Sequence, residues 1–248
     1  MKKRFSIILV IISLLCWYEI SSIANSYFVP SPEDIFLASQ EILFGPDFWL
    51  DSISTITRIL IGFVIGFTLA IVTGLFFEKV LPSSLVPFNA INFFRFIPPL
   101  AIVPLVILWF GIGETSKYII IIFTVFFPTY ISTIFGLQNI NQKLIWVAKT
   151  TGATKIQMVH KVFLPGAMPF IANGARVGIG LAFSVIIAAE LAGVYHGLGF
   201  RIWLFQSYFR ADKLIVYIFL ICVYGFIFDL IISKINTNLF FWGEKNEP

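Results

Sequence analysis

Five charged side chains lie inside long apolar stretches of the sequence or at their edges: Arg58, Arg95, Arg176, Glu190 and Asp229. A charge placed in hydrocarbon is costly, so such residues usually pair with one another or line a polar pathway. Arginines along a pathway would suit an anionic substrate. The alternative is that each side chain lies near a helix end and reaches back to the membrane surface. Arg95, Arg176 and Glu190 are the candidate pathway or interhelix charges.

Residues that could catalyse a reaction are scattered along the chain. A membrane-embedded enzyme needs clustered acids, a histidine pair or a nucleophile beside a base, and the sequence contains no HExxH or DxxD pair. His160 and His196 have no potential metal ligands near them in sequence, while Cys16 and Cys222 lie in apolar runs. We therefore expect no metal site, no disulfide and no enzymatic activity.

The elements that must position these residues are membrane-spanning helices. Of the 248 residues 58% are hydrophobic and 12% are charged, about half the charged fraction of a soluble domain. A span needs roughly 20 apolar residues and must satisfy its own backbone hydrogen bonds, as a helix does. The fold is therefore predicted to be all-α and integral to the membrane. Six spans are predicted near 5–24, 52–77, 88–110, 117–137, 166–190 and 213–233.

The distribution of basic residues predicts that both termini are cytoplasmic, because cytoplasmic segments carry the excess of Lys and Arg. On this topology the outer segments contain Lys117, Arg201, Arg210 and Lys213. The outer segment 25–51 carries five acids and no base. This placement explains the net charge of +4 without nucleic-acid binding. The cytoplasmic segments contain Lys2, Lys3, Arg4, Lys79, Lys143, Lys149, Lys155, Lys161, Lys234 and Lys245.

Two parts of the chain are expected: an N-terminal anchor helix and external loop in 1–51, and a core transmembrane domain in 52–248. The third span contains Pro98, Pro99 and Pro104. Proline lacks the backbone donor and clashes with the preceding turn, so this span must kink or break. Either it lines a pathway or the kink serves packing, and the sequence leaves both open.

The cytoplasmic loop 138–165 is patterned rather than random. Gly152 can end a helix in the left-handed conformation, and Thr154 with Gln157 has the spacing of a capping box that starts a new one. Pro165 is expected to close the element, which gives two short helices with a fixed elbow. A helix that merely lies on lipid is the alternative. The apolar positions recur at helical steps of three and four: Ile145, Ala148, Gly152, Ile156, Val159 and Phe163.

The run WVAKTTGATKIQMVHKVFLPGAMPF resembles the signature loop of ABC-importer permeases, which reads Glu-Ala-Ala, three residues, Gly, nine residues, an aliphatic residue, one residue and Leu-Pro. Here Trp146 and Val147 depart from the first two positions, while Ala148, Gly152, Val162 and Leu164-Pro165 fit. The segments VPSPEDIF, FRFIPPLAIVPLVILWFGIGETSK, IIAAEL and GLGFRIWLFQSYFRAD look like the branch that serves nitrate, sulfonates and taurine.

This resemblance implies the type I ABC-importer permease fold and the role of a membrane-spanning permease subunit. The chain would work as a homodimer in the lipid of the bacterial inner membrane, with an external substrate-binding protein received near 195–212. A cytoplasmic ABC ATPase would bind ATP and Mg²⁺, since this chain has no phosphate-binding loop. The resemblance places the ATPase-coupling contact at Trp146, Val147, Ala148, Lys149, Thr151, Gly152, Ala153, Thr154, Leu164 and Pro165.

The resemblance leaves the substrate open. A small anion such as a sulfonate, taurine or nitrate is expected, and a pyrimidine vitamin precursor is the alternative for the same machinery. A passive channel and a membrane-embedded enzyme are more distant alternatives, which the spacing of the loop argues against.

Overall fold

The computed structural model describes residues 12, 15–23, 28–80, 93–191, 193 and 195–239. Within these ranges the ordered elements are helical and there is no strand. Residues 15–23 are helical. The elements that follow are α1 Pro32–Leu43, α2 Phe48–Leu75 with a π-helical end Phe76–Val80, α3 Pro99–Phe110, α4 Glu114–Gln138, α5 Gln142–Thr150, α6 Lys155–Met158 with a π-helical segment Val159–Phe163, α7 Leu164–Glu190, α8 Leu198–Ser207 and α9 Ala211–Leu239.

Four helical stretches are long and apolar enough to cross a membrane: Phe48–Lys79, Glu114–Gln138, Lys155–Glu190 and Ala211–Asn236. They confirm four of the six predicted spans, namely 52–77, 117–137, 166–190 and 213–233. Half of the predicted span 5–24 lies outside the described residues.

The predicted span 88–110 contains a shorter apolar helix, α3, of 12 residues. This helix begins directly after Pro98 with Pro99 in its first turn, and it contains Pro104. A proline at the first helical position costs nothing, because the amide there has no partner within the helix. The predicted break therefore falls at Pro98. The first five residues of the predicted span, 88–92, lie outside the described ranges.

Helix α4 is the centre of the fold, and α2 and α7 pack along it. Glycines let the backbones approach closely, as is usual between membrane helices. A Cβ at Gly66 of α2 would lie 2.8 Å from the carbonyl oxygen of Ile122, and one at Gly174 of α7 would lie 2.7 Å from the Cβ of Ser132. Both glycines are therefore required by the spacing of the three helices.

The helix entering α7 is continuous, which corrects the expectation that Pro165 closes the loop. Residues Lys155–Glu190 form one stretch of 36 helical residues. The N–H of Leu164 donates to the carbonyl of Val159, five residues back, so the helix is wider than a regular α-helix where Pro165 follows. The proline ring, which would clash in a regular turn, is accommodated there. The loop contains one separate short helix, α5, and the second helix is the start of the span.

Candidate functional site

The elbow of loop 138–165 has the geometry that the sequence predicted. Gly152 has φ +76° and follows the end of α5. Its N–H donates to the carbonyl of Lys149 at 3.1 Å, and the N–H of Ala153 donates to that of Ala148 at 3.0 Å. These are the two bonds of a Schellman motif. They fix the direction in which the chain leaves α5.

The capping box that starts the next helix is also confirmed. The N–H of Gln157 donates to Oγ1 of Thr154 at 3.3 Å, and the N–H of Thr154 donates to Oε1 of Gln157 at 2.9 Å. With the Schellman motif on one side and this box on the other, the two residues between Thr151 and Thr154 are held at both ends. The elbow is thus a defined turn.

The apolar stripe of the loop does not form a single outward face, since Gly152 and Ile156 are exposed while its other members are half-buried. Ile145, Val162 and Phe163 pack on a cluster of the chain's own residues that includes Leu137 and Ala167. The stripe divides because α5 lies against the start of α7, and that packing cannot be read from local periodicity.

A different apolar set points outward, which we call the coupling patch: Leu144, Trp146, Val147 and Ile156, between 56% and 73% exposed. Leu144 was not predicted from the sequence, although it lies three residues before Val147 and so on the same helix face. Of the other predicted coupling residues, Lys149, Thr151, Gly152 and Thr154 are exposed, while Ala148, Ala153, Leu164 and Pro165 are half-buried.

At the opposite end of the spans lies an outer cluster of polar side chains from α2, α4, α7 and α8, most of them buried, with the Glu114 side chain 47% exposed. Arg58 is at its centre. Its guanidinium donates twice to the carboxylate of Glu114, at 2.7 and 2.8 Å, and once to Glu190 Oε1 at 2.8 Å. The outer cluster consists of Asp51, Thr55, Arg58, Glu114, Lys117, Glu190 and Arg201.

The first turn of α8 is held by this cluster through its backbone amides. The N–H of Gly197 donates to Asp51 Oδ1, that of Leu198 to Thr55 Oγ1 and that of Gly199 to Glu190 Oε2, at 2.8 to 2.9 Å. The start of a helix carries free donors and partial positive charge. Buried carboxylates at this position are stabilised by it, and they orient α8 in return.

Arg201 completes the cluster from within α8. Its Nε donates to Asp51 Oδ2 at 2.6 Å, and its Nη2 lies 2.8 Å from Asp47 Oδ2. Burial acts to lower the pKa of the Arg201 guanidinium, but the hydrogen bond and charge of Asp51 and the charge of Asp47 outweigh it, so the pKa is raised. The side chain therefore stays charged, and Asp51 keeps a permanent counter-ion.

The three predicted membrane charges lie in three different surroundings. Glu190 is fully buried in the outer cluster. Arg176 forms a two-point ion pair with Asp229, at 2.8 Å for both bonds, which links α7 to α9. Arg95 is exposed just before α3, with its guanidinium 4.9 Å from the ring centre of Phe96.

Most of the outer cluster was not predicted from the sequence, including Asp51, Thr55, Glu114, Lys117 and Arg201. One pattern could have found part of it. Asp51, Thr55 and Arg58 are spaced by four and three residues, which puts three polar side chains on one face of an apolar helix. Such a face must meet polar partners from neighbouring helices, and Glu190 was the one partner already singled out.

Neither histidine nor cysteine forms a recognisable site in the described part of the chain. His196 does have an acid nearby, contrary to expectation, since its Nδ1 lies 3.8 Å from Asp51 Oδ1. No group of three or more potential metal ligands occurs among the residues that the structure describes. Cys16 and Cys222 are both free and exposed.

Comparison with known proteins identifies the family. The family of binding-protein-dependent transport system inner membrane components matches residues 62–239. The taurine transport system permease protein of Escherichia coli K12 is 30% identical over 240 residues, covering 92% of this chain and 86% of that one. A putative aliphatic sulfonates transport permease protein of Bacillus subtilis is 29% identical over 254 residues, covering 99% and 91%.

Solved structures share the fold. An inward-facing form of the MetNI methionine ABC transporter superposes with a TM-score of 0.61 at 18% identity, over 77% of this chain and 95% of that one. A bacterial alginate ABC transporter in complex with its alginate-bound periplasmic protein gives 0.60 at 15% identity, over 96% and 94%. The chain has the fold of ABC-importer permeases, and it is a transport subunit rather than an enzyme. It belongs to the family of inner membrane components of binding-protein-dependent transport systems.

Proposed function

We propose that two copies of this chain form the membrane pathway of an ABC importer, and that loop 138–165 docks on a cytoplasmic ATPase. The observation that carries this proposal is the coupling patch beside a doubly capped elbow. Exposed Leu144, Val147 and Ile156 offer apolar surface to a partner, and the elbow at Gly152 is rigid enough to transmit a displacement.

The partner's groove follows from the chemistry of this patch. Trp146 stands at the position where the family signature has glutamate and is 67% exposed. A tryptophan supplies a large apolar face and one hydrogen-bond donor. The facing surface of the ATPase should therefore be an apolar slot, without a basic side chain that would need a glutamate as its partner. ATP and Mg²⁺ bind to that ATPase, because this chain contains no phosphate-binding loop.

The substrate that fits best is a small organic sulfonate such as taurine. Relatives that align over most of this chain are named for taurine and for aliphatic sulfonates, which favours an anion over a vitamin precursor. Arg95 supports this choice, since no carboxylate lies within ion-pair distance of it among the described residues. Arg176 is neutralised by Asp229 and is a weaker candidate for an anion contact.

The outer face, with α8 and residues 195–212, receives the substrate-binding protein in this proposal, and both chain termini lie in the cytoplasm. The alginate transporter of similar fold is in complex with a periplasmic protein. In our chain Tyr195 and Tyr208 are well exposed on this face, and α8 beneath them is fixed by the outer cluster. A fixed platform suits docking, because less conformational freedom is lost on binding.

The test is to tag the chain, extract it in mild detergent and identify what co-purifies. We expect a stoichiometric ATPase that is lost from the Gly152→Val variant, because a β-branched residue resists a positive φ. Gly152→Asn is the matched control: asparagine tolerates the left-handed conformation, and a Cβ at 152 meets nothing within 4 Å. This variant should keep the ATPase.

A wild-type chain that stays folded and inserted without an ATPase would contradict the proposal. Equal retention of the ATPase by Gly152→Val would show that the elbow is not part of the contact.

A further inference from the structure

One uninterrupted helix connects the elbow of the loop to the outer cluster. It runs from Lys155, three residues after Gly152, to Glu190. At 1.5 Å per residue its 36 residues span about 54 Å, which exceeds the roughly 40–45 Å thickness of a membrane with its headgroups. The π-helical segment at Val159–Phe163 widens it without breaking it. A displacement of the loop therefore reaches the last residue of α7 through continuous backbone hydrogen bonds.

That last residue is hydrogen-bonded to two other elements, α2 and the start of α8. Glu190 has no exposed surface. Its carboxylate accepts from Thr55 Oγ1 and Arg58 Nη1 at 2.8 Å each, and from the N–H of Gly199 at 2.8 Å. A Cβ at Gly197 would lie 2.5 Å from its Oε2. Glu190 consequently cannot shift without carrying both α2 and the start of α8.

Arg58 extends the connection to the remaining elements. Besides Glu190 it binds Glu114 of α4 at two points and the carbonyl oxygen of His196, which precedes α8, at 2.8 Å. The two-point ion pair of Arg58 with Glu114 is directional and fixes a register between α2 and α4. The bond from Arg58 to Glu190 is buried at both ends and is therefore costly to break.

We propose that Glu190 and Arg58 are positioning residues that join the outer ends of α2, α4, α7 and α8 into one body, which moves when the ATPase displaces the loop. This inference rests on the proposed function of the loop. It makes the outer cluster the end of the coupling path that lies farthest from the ATPase. The coupling is reciprocal by thermodynamic necessity. A binding protein docked on α8 would act on the ATPase through the same helix.

The test measures how much the binding protein, with taurine as probe, stimulates ATP hydrolysis by the reconstituted complex. We expect the ratio of stimulated to basal hydrolysis to fall roughly fivefold or more in Glu190→Gln and in Arg58→Gln, as ordinary allosteric couplings do when lost. The matched control is Glu41→Gln, which removes an outer ion pair with Lys213 that lies outside the cluster. The control should keep the wild-type ratio.

A second measurement tests whether the two ends of this path move as one body. Spin labels at Lys161 and Ser207, both exposed, are introduced into one of the two copies, with Cys16 and Cys222 replaced by serine in both, so that only the distance within one chain is measured. Because both labels are fixed to the same body, their distance distribution should be narrow and unchanged when a non-hydrolysable ATP analogue is added. In Glu190→Gln it should widen.

A wild-type distance that changes with nucleotide would overturn the inference, as would an unchanged stimulation ratio in both charge variants. If a variant fails to assemble, the wild-type distance alone decides. Failure of the wild-type chain to bind any ATPase would instead refute the proposed function.

Discussion

At the scale of single residues, the polar groups buried among the spans differ sharply in how well they are satisfied. Thr55 donates to Glu190 and accepts from the N–H of Leu198, so its hydroxyl connects three elements. Thr129, equally buried in α4, has a hydroxyl with no hydrogen-bond partner among the described residues. The same residue type therefore links neighbouring helices at position 55, whereas at position 129 its hydroxyl is buried without a hydrogen-bond partner among the described residues.

Replacing each threonine by valine, which has nearly the same shape, should therefore have opposite consequences. Thr55→Val leaves the buried N–H of Leu198 without its acceptor and the carboxylate of Glu190 with one donor fewer. It should therefore lower the free energy of unfolding by about 1–3 kcal/mol. Thr129→Val removes an unpaired hydroxyl and should be neutral or stabilising. Thermal unfolding of the purified chain in detergent measures both. Equal destabilisation by the two variants would contradict this account of the outer cluster.

Single residues were predictable where their own type carried the information. A carboxylate at the end of an apolar run singled out Glu190, and a glycine before a capping box singled out Gly152. Asp51 and Glu114 were not singled out because each lies near the edge of a span, and Arg201 was not because it lies between two spans; a charge is ordinary at such positions. Their significance arises only when the outer ends of four helices meet, and that meeting is not encoded locally.

At the scale of elements, close packing against α4 is the feature that holds the bundle together. Gly66 faces the backbone of Ile122, and backbone cannot shift to admit a side chain as a flexible side chain could. Gly180, on α7, has nothing within 4 Å of its would-be Cβ. The two glycines are both within spans, yet only one is needed for packing.

Gly66→Ala should separate α2 from α4 and destabilise the chain by about 1–3 kcal/mol, the usual cost of overfilling a packed interior. Gly180→Ala is the matched control, and we expect it to leave stability unchanged or slightly higher, since alanine favours a helix. The readout is the melting temperature of each purified variant. A melting temperature for Gly66→Ala as high as the wild type's would mean that the α2–α4 spacing is not fixed by this glycine.

The same scale shows why the loop was only partly predictable. The end of α5 and the capping box depend on neighbours within a few residues, and both were predicted. Continuity through Pro165 depends on a π-helical segment that no residue type announces. The division of the apolar stripe depends on the packing of α5 against Leu137 and Ala167, so periodicity indicated a helix but not the direction of its faces.

At the scale of the whole molecule, charge divides the chain into two ends. The loop that contains the elbow carries Lys143, Lys149, Lys155 and Lys161, whereas α1 and the start of α2 carry acids. Between these ends the spans expose broad apolar faces, for example Ile61, Val64 and Ile65 of α2. This arrangement predicts that the loop lies on the cytoplasmic side, because cytoplasmic segments carry the excess of Lys and Arg.

Orientation is testable with cysteine variants of the full chain in intact cells, after Cys16 and Cys222 are replaced by serine. Tyr195→Cys on the outer face should react with a membrane-impermeant maleimide, since Tyr195 is 83% exposed. Lys149→Cys, on the exposed side of α5, should react only with a permeant maleimide or after the cells are opened. The serine background should react with neither reagent. The reverse pattern would place the coupling patch outside the cell, where no ATPase could reach it, and would refute the proposed direction of coupling from the loop through α7 to α8.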